Sequence, residues 1–155
     1  MDLNDHQHWM GLALEQARKA GDKDEVPVGA VIVLDGKVLG VGHNQPITTH
    51  DCTAHAEIMA LREACSHVGN YRLPGATLYV TIEPCTMCVG AMIHARIGTI
   101  VYGAREPRAG VLDSNLALHD QPFYNHRLKV TGGVLEGDCS ALMQAFFRSR
   151  RPQGQ

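Results

Sequence analysis

Two short motifs in the sequence carry side chains that can bind a metal ion. The first spans residues 55–57 and reads His-Ala-Glu, and the second spans residues 84–88 and reads Pro-Cys-Thr-Met-Cys. One imidazole and two thiolates form a ligand set that zinc favours, and three protein ligands leave one coordination position for a water. The carboxylate two residues after the histidine is placed to exchange protons with that water. The motifs therefore predict a catalytic zinc site made of His55, Cys85, Cys88 and Glu57.

A fourth ligand is also available in the sequence. Cys52 lies three residues before His55, so a Cys-x-x-His pair followed by the Cys-x-x-Cys pair also fits a closed structural zinc site. In that case Glu57 would be an ordinary solvated residue, and the protein would be a zinc-stabilised interaction module. Thr53, the expected helix cap, follows Cys52 directly, and the structural site leaves the carboxylate unexplained. We therefore expect three ligands.

The spacing of each motif constrains the helix that carries it. Side chains two residues apart point roughly 200° apart in a regular helix. His55 and Glu57 can therefore share a site only in a first turn, and we expect a helix that starts at residue 54 or 55. Cys85 and Cys88 are three residues apart and lie on one face of a helix that Pro84 begins. A helix N-terminus also favours thiolate over thiol.

The remaining apolar periodicity predicts alternating helices and strands. An apolar run at 28–34 and a second strand at 37–41 flank an Asp35-Gly36 hairpin turn. Strands alternating with helices indicate an α/β protein, with a three-layer α/β/α fold and a central mixed sheet of five strands. The predicted strands are 28–34, 37–41, 76–82, 98–102 and 127–131, and the predicted helices are 6–20, 54–69, 84–93, 111–118 and 138–151, the last with Ala141, Leu142, Ala145 and Phe146 inward.

Length and composition place the chain among ordinary globular proteins. The 155 residues are 45% hydrophobic, which suits a single domain over residues 1–155 with its own core. The five cysteines are an odd number and two belong to the Cys-x-x-Cys motif, so a reduced, metal-binding role is favoured over disulfides. No signal-type segment and no apolar run of ~20 residues is visible. We expect a cytoplasmic protein that does not enter a membrane.

The charge distribution leaves the class of partner open. The net charge is −2, but residues 101–155 carry seven Lys/Arg against five Asp/Glu. Phe146 and Phe147 lie beside Arg148, Arg150 and Arg151 near the C-terminus. Aromatic and arginine side chains together are typical of a single-stranded nucleic-acid surface, through base stacking and phosphate contacts. They are equally typical of a solvated helix end, and the sequence favours neither reading.

Beyond these patterns, the sequence resembles the bacterial tRNA-specific adenosine deaminases of the cytidine-deaminase-like superfamily. The similarity extends over nearly the whole chain. The His-Ala-Glu and Pro-Cys-x-x-Cys motifs are shared by the superfamily, whereas 70–73, 90–94 and 146–148 look specific to the tRNA enzymes. The segments that carry the resemblance are 25–30, 44–46, 53–61, 70–73, 76–81, 83–88, 90–94 and 146–148.

The resemblance implies a function for this chain. It implies one zinc ion per subunit, Glu57 as the proton shuttle, and conversion of the wobble adenosine of an arginine tRNA anticodon to inosine. It also implies a homodimer whose second subunit helps to complete the RNA-binding cleft. The resemblance implies that Asn44 hydrogen-bonds the flipped base and that Glu106 contacts a nucleotide near the site. From the basic, aromatic C-terminus we expect Phe147 and Arg148 to contact the anticodon stem-loop.

Two of these residues leave questions open. A loop asparagine such as Asn44 is equally often a turn residue that satisfies local backbone groups. Glu106 stands where the family commonly has Asp, and the extra methylene changes the reach of its contact to the nucleotide. The main alternative function is deamination of a free purine, as in a guanine deaminase with the same zinc motif, which would need no basic surface.

Overall fold

The computed structural model describes residues 3–150, which form a five-stranded mixed sheet covered by helices. The sheet order is β2-β1-β3-β4-β5, with β1 antiparallel to both neighbours and the other pairs parallel. In chain order the elements are α1 Leu3–Asp22, β1 Gly29–Leu34, β2 Lys37–His43, α2 Pro46–Thr49, α3 Ala56–Val68, β3 Thr77–Ile82, α4 Thr86–His94, β4 Thr99–Ala104, a 3₁₀ turn Leu118–Asp120, β5 Lys129–Thr131 and α5 Glu136–Ser149. The predicted fold class is confirmed.

The first hairpin follows from its turn residues. Asp35 and Gly36 both have positive φ, 51° and 75°, the conformation that a two-residue hairpin turn requires. β1 is buried on both faces over most of its length, as its unbroken apolar run predicts. It lies inside the sheet, and the more polar β2 forms the edge.

The two faces of the sheet are covered by different helices. α1 packs on β1 and β3, and α3 packs on β2 and β1. Gly29 of β1 faces α1, whereas Gly42 of β2 faces α3. Because Gly29 pairs with His43, and cross-strand partners share a face, these glycines point to opposite sides of the sheet. The three layers therefore place α1 opposite α3. Within residues 3–150, no helix combines the length and hydropathy needed to cross a membrane.

The contact between α3 and β2 is unusually close because β2 contributes glycines to it and α3 contributes alanines. A Cβ atom on Gly42 would lie 2.3 Å from the carbonyl oxygen of Ala56, and one on Gly40 would lie 2.6 Å from that of Ala60. The buried face of α3 is built from alanines at 56, 60 and 64, with Leu61. The helix axis therefore approaches the edge strand closely, and this contact sets the position of the first turn of α3.

Three local expectations about helix starts are wrong. Thr53 does not cap α3, because its N–H and hydroxyl both donate to Oδ1 of Asp51. The helix instead begins at Ala56, with His55 as its N-cap. Pro84 lies outside α4, since Cys85 keeps extended backbone angles (φ −85°, ψ 177°) as the N-cap.

The predicted helix at 111–118 is also wrong, and a short helix at Pro46–Thr49 was not anticipated. Residues 111–114 form turns because their amide groups donate to side-chain and carbonyl oxygens near the end of β3 rather than to carbonyls of their own segment. In α5 the residues that face the core differ from those predicted. Ala141 and Ala145 are exposed, Phe146 is half-buried, and Cys139, Leu142 and Met143 pack in or against the core.

Substitution of Gly42 by Ala tests the close packing of α3 on β2. The added methyl group would meet helix backbone at 2.3 Å, so α3 must move, and overpacking of this kind costs roughly 1–3 kcal/mol. Gly11→Ala on α1 is the matched control, because nothing lies within 4 Å of a methyl group placed there and alanine is the better helix former. Chemical denaturation should show a lower free energy of unfolding for Gly42→Ala only. Equal stability of the two variants would contradict the proposed packing.

Candidate active site

The structure brings together the three side chains that the motifs predict as metal ligands. Nδ1 of His55 lies 3.8 Å from Sγ of Cys85 and 3.6 Å from Sγ of Cys88. Zinc–nitrogen and zinc–sulfur bonds of about 2.1 and 2.3 Å at a tetrahedral angle put the nitrogen and sulfur atoms about 3.6 Å apart. The observed spacing therefore fits a shared zinc ion, and the donor set is the one that zinc favours.

Each motif is held at the start of a helix. His55 is the N-cap of α3 and has extended backbone angles (φ −70°, ψ 155°), and Cys85 is the N-cap of α4. Cys88 follows in the first turn of α4 and is fully buried. Two helix N-termini thus point their positive ends at the same small volume, which favours thiolates and other anions there.

The protonation states of His55, Cys85 and Cys88 depend on one another when no metal ion is bound between them. Hydrogen bonding to Cys88, opposed by burial and aided by His55, lowers the pKa of Cys85 to about 4. Hydrogen bonding to Cys85 and burial raise the pKa of Cys88, and hydrogen bonding to Cys85 raises that of His55. A cation held by both sulfurs favours both thiolates together, so metal binding releases protons.

Glu57 lies in the first turn of α3 and is 4% exposed. Burial raises the pKa of its carboxyl to about 7, with the negative charge of Cys85 acting in the same direction. A dication beside the carboxylate favours its charged form and so lowers this pKa again. The sequence argument that histidine and glutamate can share a site only in a first turn agrees with the positions observed.

Cys52 is exposed and lies outside the metal-ligand cluster. Among residues 3–150, the group of His, Cys, Asp and Glu ligand atoms that lie within 4.8 Å of one another is made of His55, Cys85 and Cys88. The four-ligand alternative needs Cys52 in that group. The geometry favours three protein ligands.

Asn44 follows β2 and makes a long-range contact that neither sequence-based reading included. Its Oδ1 accepts a hydrogen bond of 2.8 Å from the N–H of Ala56, the first residue of α3. The amide orientation is thereby fixed, because the backbone donor requires an oxygen. Within the described residues, Nδ2 has no hydrogen-bond partner and remains able to donate to a ligand.

Two buried carboxylates that sequence reasoning did not single out lie beside the site. Glu83, immediately before Pro84, is 2% exposed and accepts hydrogen bonds from residues 106–114. Burial opposes its charge, but hydrogen bonds led by that of Ser114 lower its pKa to about 2. Glu25, 1% exposed, accepts from Ile47 and Thr48, and these bonds hold its pKa below the ordinary value against the cost of burial.

The remaining residues with expected RNA contacts are on the surface. Glu106 follows β4 and is half-buried, and its Oε1 accepts a hydrogen bond of 2.8 Å from the N–H of Arg108. Phe147 is 47% exposed, and Arg148 is exposed. Arg150 is engaged within the protein, because it stacks on Phe146 at 3.6 Å and forms an ion pair with Asp24. Arg151 lies outside the described residues.

Comparison with known proteins agrees with the geometry of the site. The family model of MafB19-like deaminases matches residues 4–151. A tRNA-specific adenosine deaminase of Agrobacterium fabrum is 47% identical over 144 residues, which cover 93% of this chain and 95% of that protein.

Two solved structures extend the comparison. One comes from a study of A-to-I editing by tRNA:A34 deaminases at the wobble position of transfer RNA, and it matches with a TM-score of 0.84 and 47% identity over 87% of this chain and 98% of that one. A guanine deaminase from Nitrosomonas europaea matches less closely, with a TM-score of 0.76 and 25% identity over 90% of this chain and 83% of that one. The chain belongs to the MafB19-like deaminase family and, within it, to the tRNA-specific adenosine deaminases.

Proposed function

We propose that this chain is a zinc-dependent enzyme that deaminates adenosine to inosine at the wobble position of a tRNA anticodon and releases ammonia. The observation that carries the proposal is the convergence of His55, Cys85 and Cys88 beside the buried carboxylate of Glu57. Relatives at 47% identity with near-complete coverage act on tRNA adenosine by name, which supports the same substrate class. A cytoplasmic location agrees with a tRNA substrate and with five free cysteines.

The mechanism assigns a proton-transfer role to Glu57. When bound by His55, Cys85 and Cys88, zinc supplies Lewis acidity that brings the pKa of a coordinated water towards about 7. Glu57 takes a proton from the attacking water and delivers it to N1 of the purine, while oxygen adds to C6. The carboxylate then takes the proton of the new hydroxyl on C6 and gives it to the amine, so that the C6–N bond breaks, ammonia leaves and the C6 carbonyl of inosine forms. One carboxyl thus acts first as base and then as acid.

Asn44 is proposed to orient the base. Its oxygen is used by the N–H of Ala56, so the group offered to a substrate is the Nδ2 donor. It therefore selects an acceptor atom on the nucleoside. The same hydrogen bond ties this contact to the first turn of α3, which carries Glu57, and so couples substrate orientation to the position of the proton shuttle.

A homodimer is proposed as the working form. One face of α4 carries Met87, Gly90, Ala91 and His94 at helical spacing, half-buried or exposed, and nothing lies within 4 Å of a methyl group built on Gly90. Small residues of this kind allow another backbone to approach closely. Because α4 also carries Cys88, a partner seated on this face would lie beside the site and could extend its RNA-binding surface.

Zinc content separates the three-ligand site from the four-ligand alternative. Cys52→Ala should retain one zinc per chain and its activity, because Cys52 lies outside the cluster. Cys85→Ala should lose most of the metal and unfold at lower temperature, since metal binding is coupled to folding. Metal analysis and thermal unfolding of both variants provide the measurement. Metal loss from Cys52→Ala would support the structural-zinc alternative.

Replacement of Glu57 by Gln tests the proton shuttle. Acid–base groups contribute roughly 10²–10⁴-fold, and this carboxyl serves several transfers, so kcat for inosine formation on an anticodon stem-loop should fall by about 10⁴-fold. Zinc content and RNA affinity should remain near wild type. Glu63→Gln is the control, because that residue is exposed on the same helix. A Glu57→Gln enzyme with a tenth of the wild-type kcat would exclude Glu57 from the mechanism.

Arg148→Ala tests the RNA surface and distinguishes it from free-purine chemistry. If Arg148 contacts a phosphate, the variant should bind the stem-loop more weakly, and the slope of log affinity against log salt should decrease by roughly 0.7–0.9. Lys37→Ala, at the hairpin end of the sheet, is the control and should leave the slope unchanged. An unchanged slope for Arg148→Ala, with rapid deamination of free guanine by the wild type, would favour the guanine deaminase alternative.

A further inference from the structure

The carboxylate of Glu83 is saturated by a single segment of the chain, residues 105–114, which follows β4. Its oxygens accept backbone N–H groups of Glu106 at 3.1 Å, Leu112 at 3.0 Å, Asp113 at 2.8 Å and Ser114 at 2.9 Å, and the hydroxyl of Ser114 at 2.5 Å. The next residue, Pro84, also holds this segment, because its carbonyl oxygen accepts a hydrogen bond of 3.1 Å from the N–H of Val111. The 105–114 segment is therefore folded around one buried charge.

Gly110 of this segment lies too close to Glu83 to carry a side chain. A Cβ atom built on Gly110 would lie 2.4 Å from Cδ and 2.5 Å from Oε1 of Glu83. A buried amide group left without an acceptor destabilises the conformation that buries it. Loss of the carboxylate would leave several such groups unsatisfied at once, so the conformation of the 105–114 segment depends on it.

Glu25 does the same for a second segment, residues 44–50, which follows β2. Its carboxylate accepts the N–H of Ile47 at 3.2 Å and both the N–H and the hydroxyl of Thr48, at 2.6 and 2.5 Å. These amides belong to the first turn of the four-residue helix α2 and have no partner inside it. Asn44 begins this segment.

The sheet topology puts these two segments on either side of the zinc-ligand residues. The C-terminal ends of β2, β3 and β4 and the N-terminal end of β1 lie at the same end of the sheet. Cys85 follows β3, between the ends of β2 and β4. Glu25 precedes β1 and holds the segment that follows β2. Glu83 follows β3 and holds the segment that follows β4.

We infer that Glu25 and Glu83 are positioning residues that hold the two segments flanking the proposed substrate site, and thereby set RNA binding. The inference rests on the proposed function for the identity of the substrate. Neither carboxylate belongs to the metal-ligand cluster, and the hydrogen-bond partners of both are backbone amides and hydroxyls. Their effect on substrate passes through Asn44 on one side and Glu106 on the other.

Hydrogen exchange of the zinc-loaded protein tests the anchoring segment by segment. In Glu83→Gln, the amides of 106 and 112–114 should exchange at least about tenfold faster, the factor equivalent to loss of one hydrogen bond to a charged group. The amides of 47 and 48 should be unchanged. Glu25→Gln should give the reverse pattern. Glu15→Gln, an exposed residue of α1, removes the same charge and should change neither segment.

Steady-state kinetics on an anticodon stem-loop then tests the consequence for substrate. Both variants should raise KM by roughly tenfold or more with a smaller change in kcat, and both should keep one zinc per chain. Ser114→Ala removes one of the five hydrogen bonds to Glu83 and should give a smaller change in the same direction. This milder variant provides the test if Glu83→Gln does not fold.

Several results would overturn the inference. These are unchanged exchange in both segments, faster exchange spread over the whole protein, or a fall in kcat with KM unchanged. A wild-type protein that binds zinc but forms no inosine in RNA would instead overturn the proposed function. The exchange pattern would still decide whether each glutamate holds its own segment.

Discussion

The close approach of α3 to the edge strand β2 fixes the geometry on which the site depends. Gly40 and Gly42 leave no side chain between strand and helix, and alanines complete the contact from the other side. The first turn of α3 is thereby held next to the end of β2, where Asn44 can accept from Ala56. His55 precedes this turn and Glu57 lies in it, so a packing contact between glycine and alanine determines where an imidazole and a carboxylate are presented.

Three buried glutamates in the same region differ in the number of hydrogen-bond donors around them. Glu83 accepts five hydrogen bonds and Glu25 accepts three, and the pKa of each is lowered despite burial. Glu57 is equally buried but lacks such a set of donors, and its pKa is raised to about 7. Surrounding donors therefore hold Glu83 and Glu25 as anions, whereas the charge of Glu57 depends on burial and on a cation bound beside it.

The parts of this protein that could be predicted from sequence are those whose interactions are local. The Asp35-Gly36 turn depends on two consecutive residues, whereas the starts of α3 and α4 were predicted one or two residues too early. The segment at 111–118 was misassigned because its amides are satisfied by Glu83, about thirty residues earlier in the chain. The donors are backbone groups, which every sequence has, so the partner segment carries no pattern that could reveal the contact.

The same distinction applies to function. The histidine, the two cysteines and Glu57 form a compact unit that also suits deaminases of free bases, so the chemistry follows from two motifs while the substrate does not. We propose that substrate choice depends on what surrounds that unit, namely the two segments held by buried carboxylates and a helix end where Arg150 is paired with Asp24. That ion pair leaves Arg148, rather than Arg150, as the described arginine of this helix end that is free to meet a phosphate.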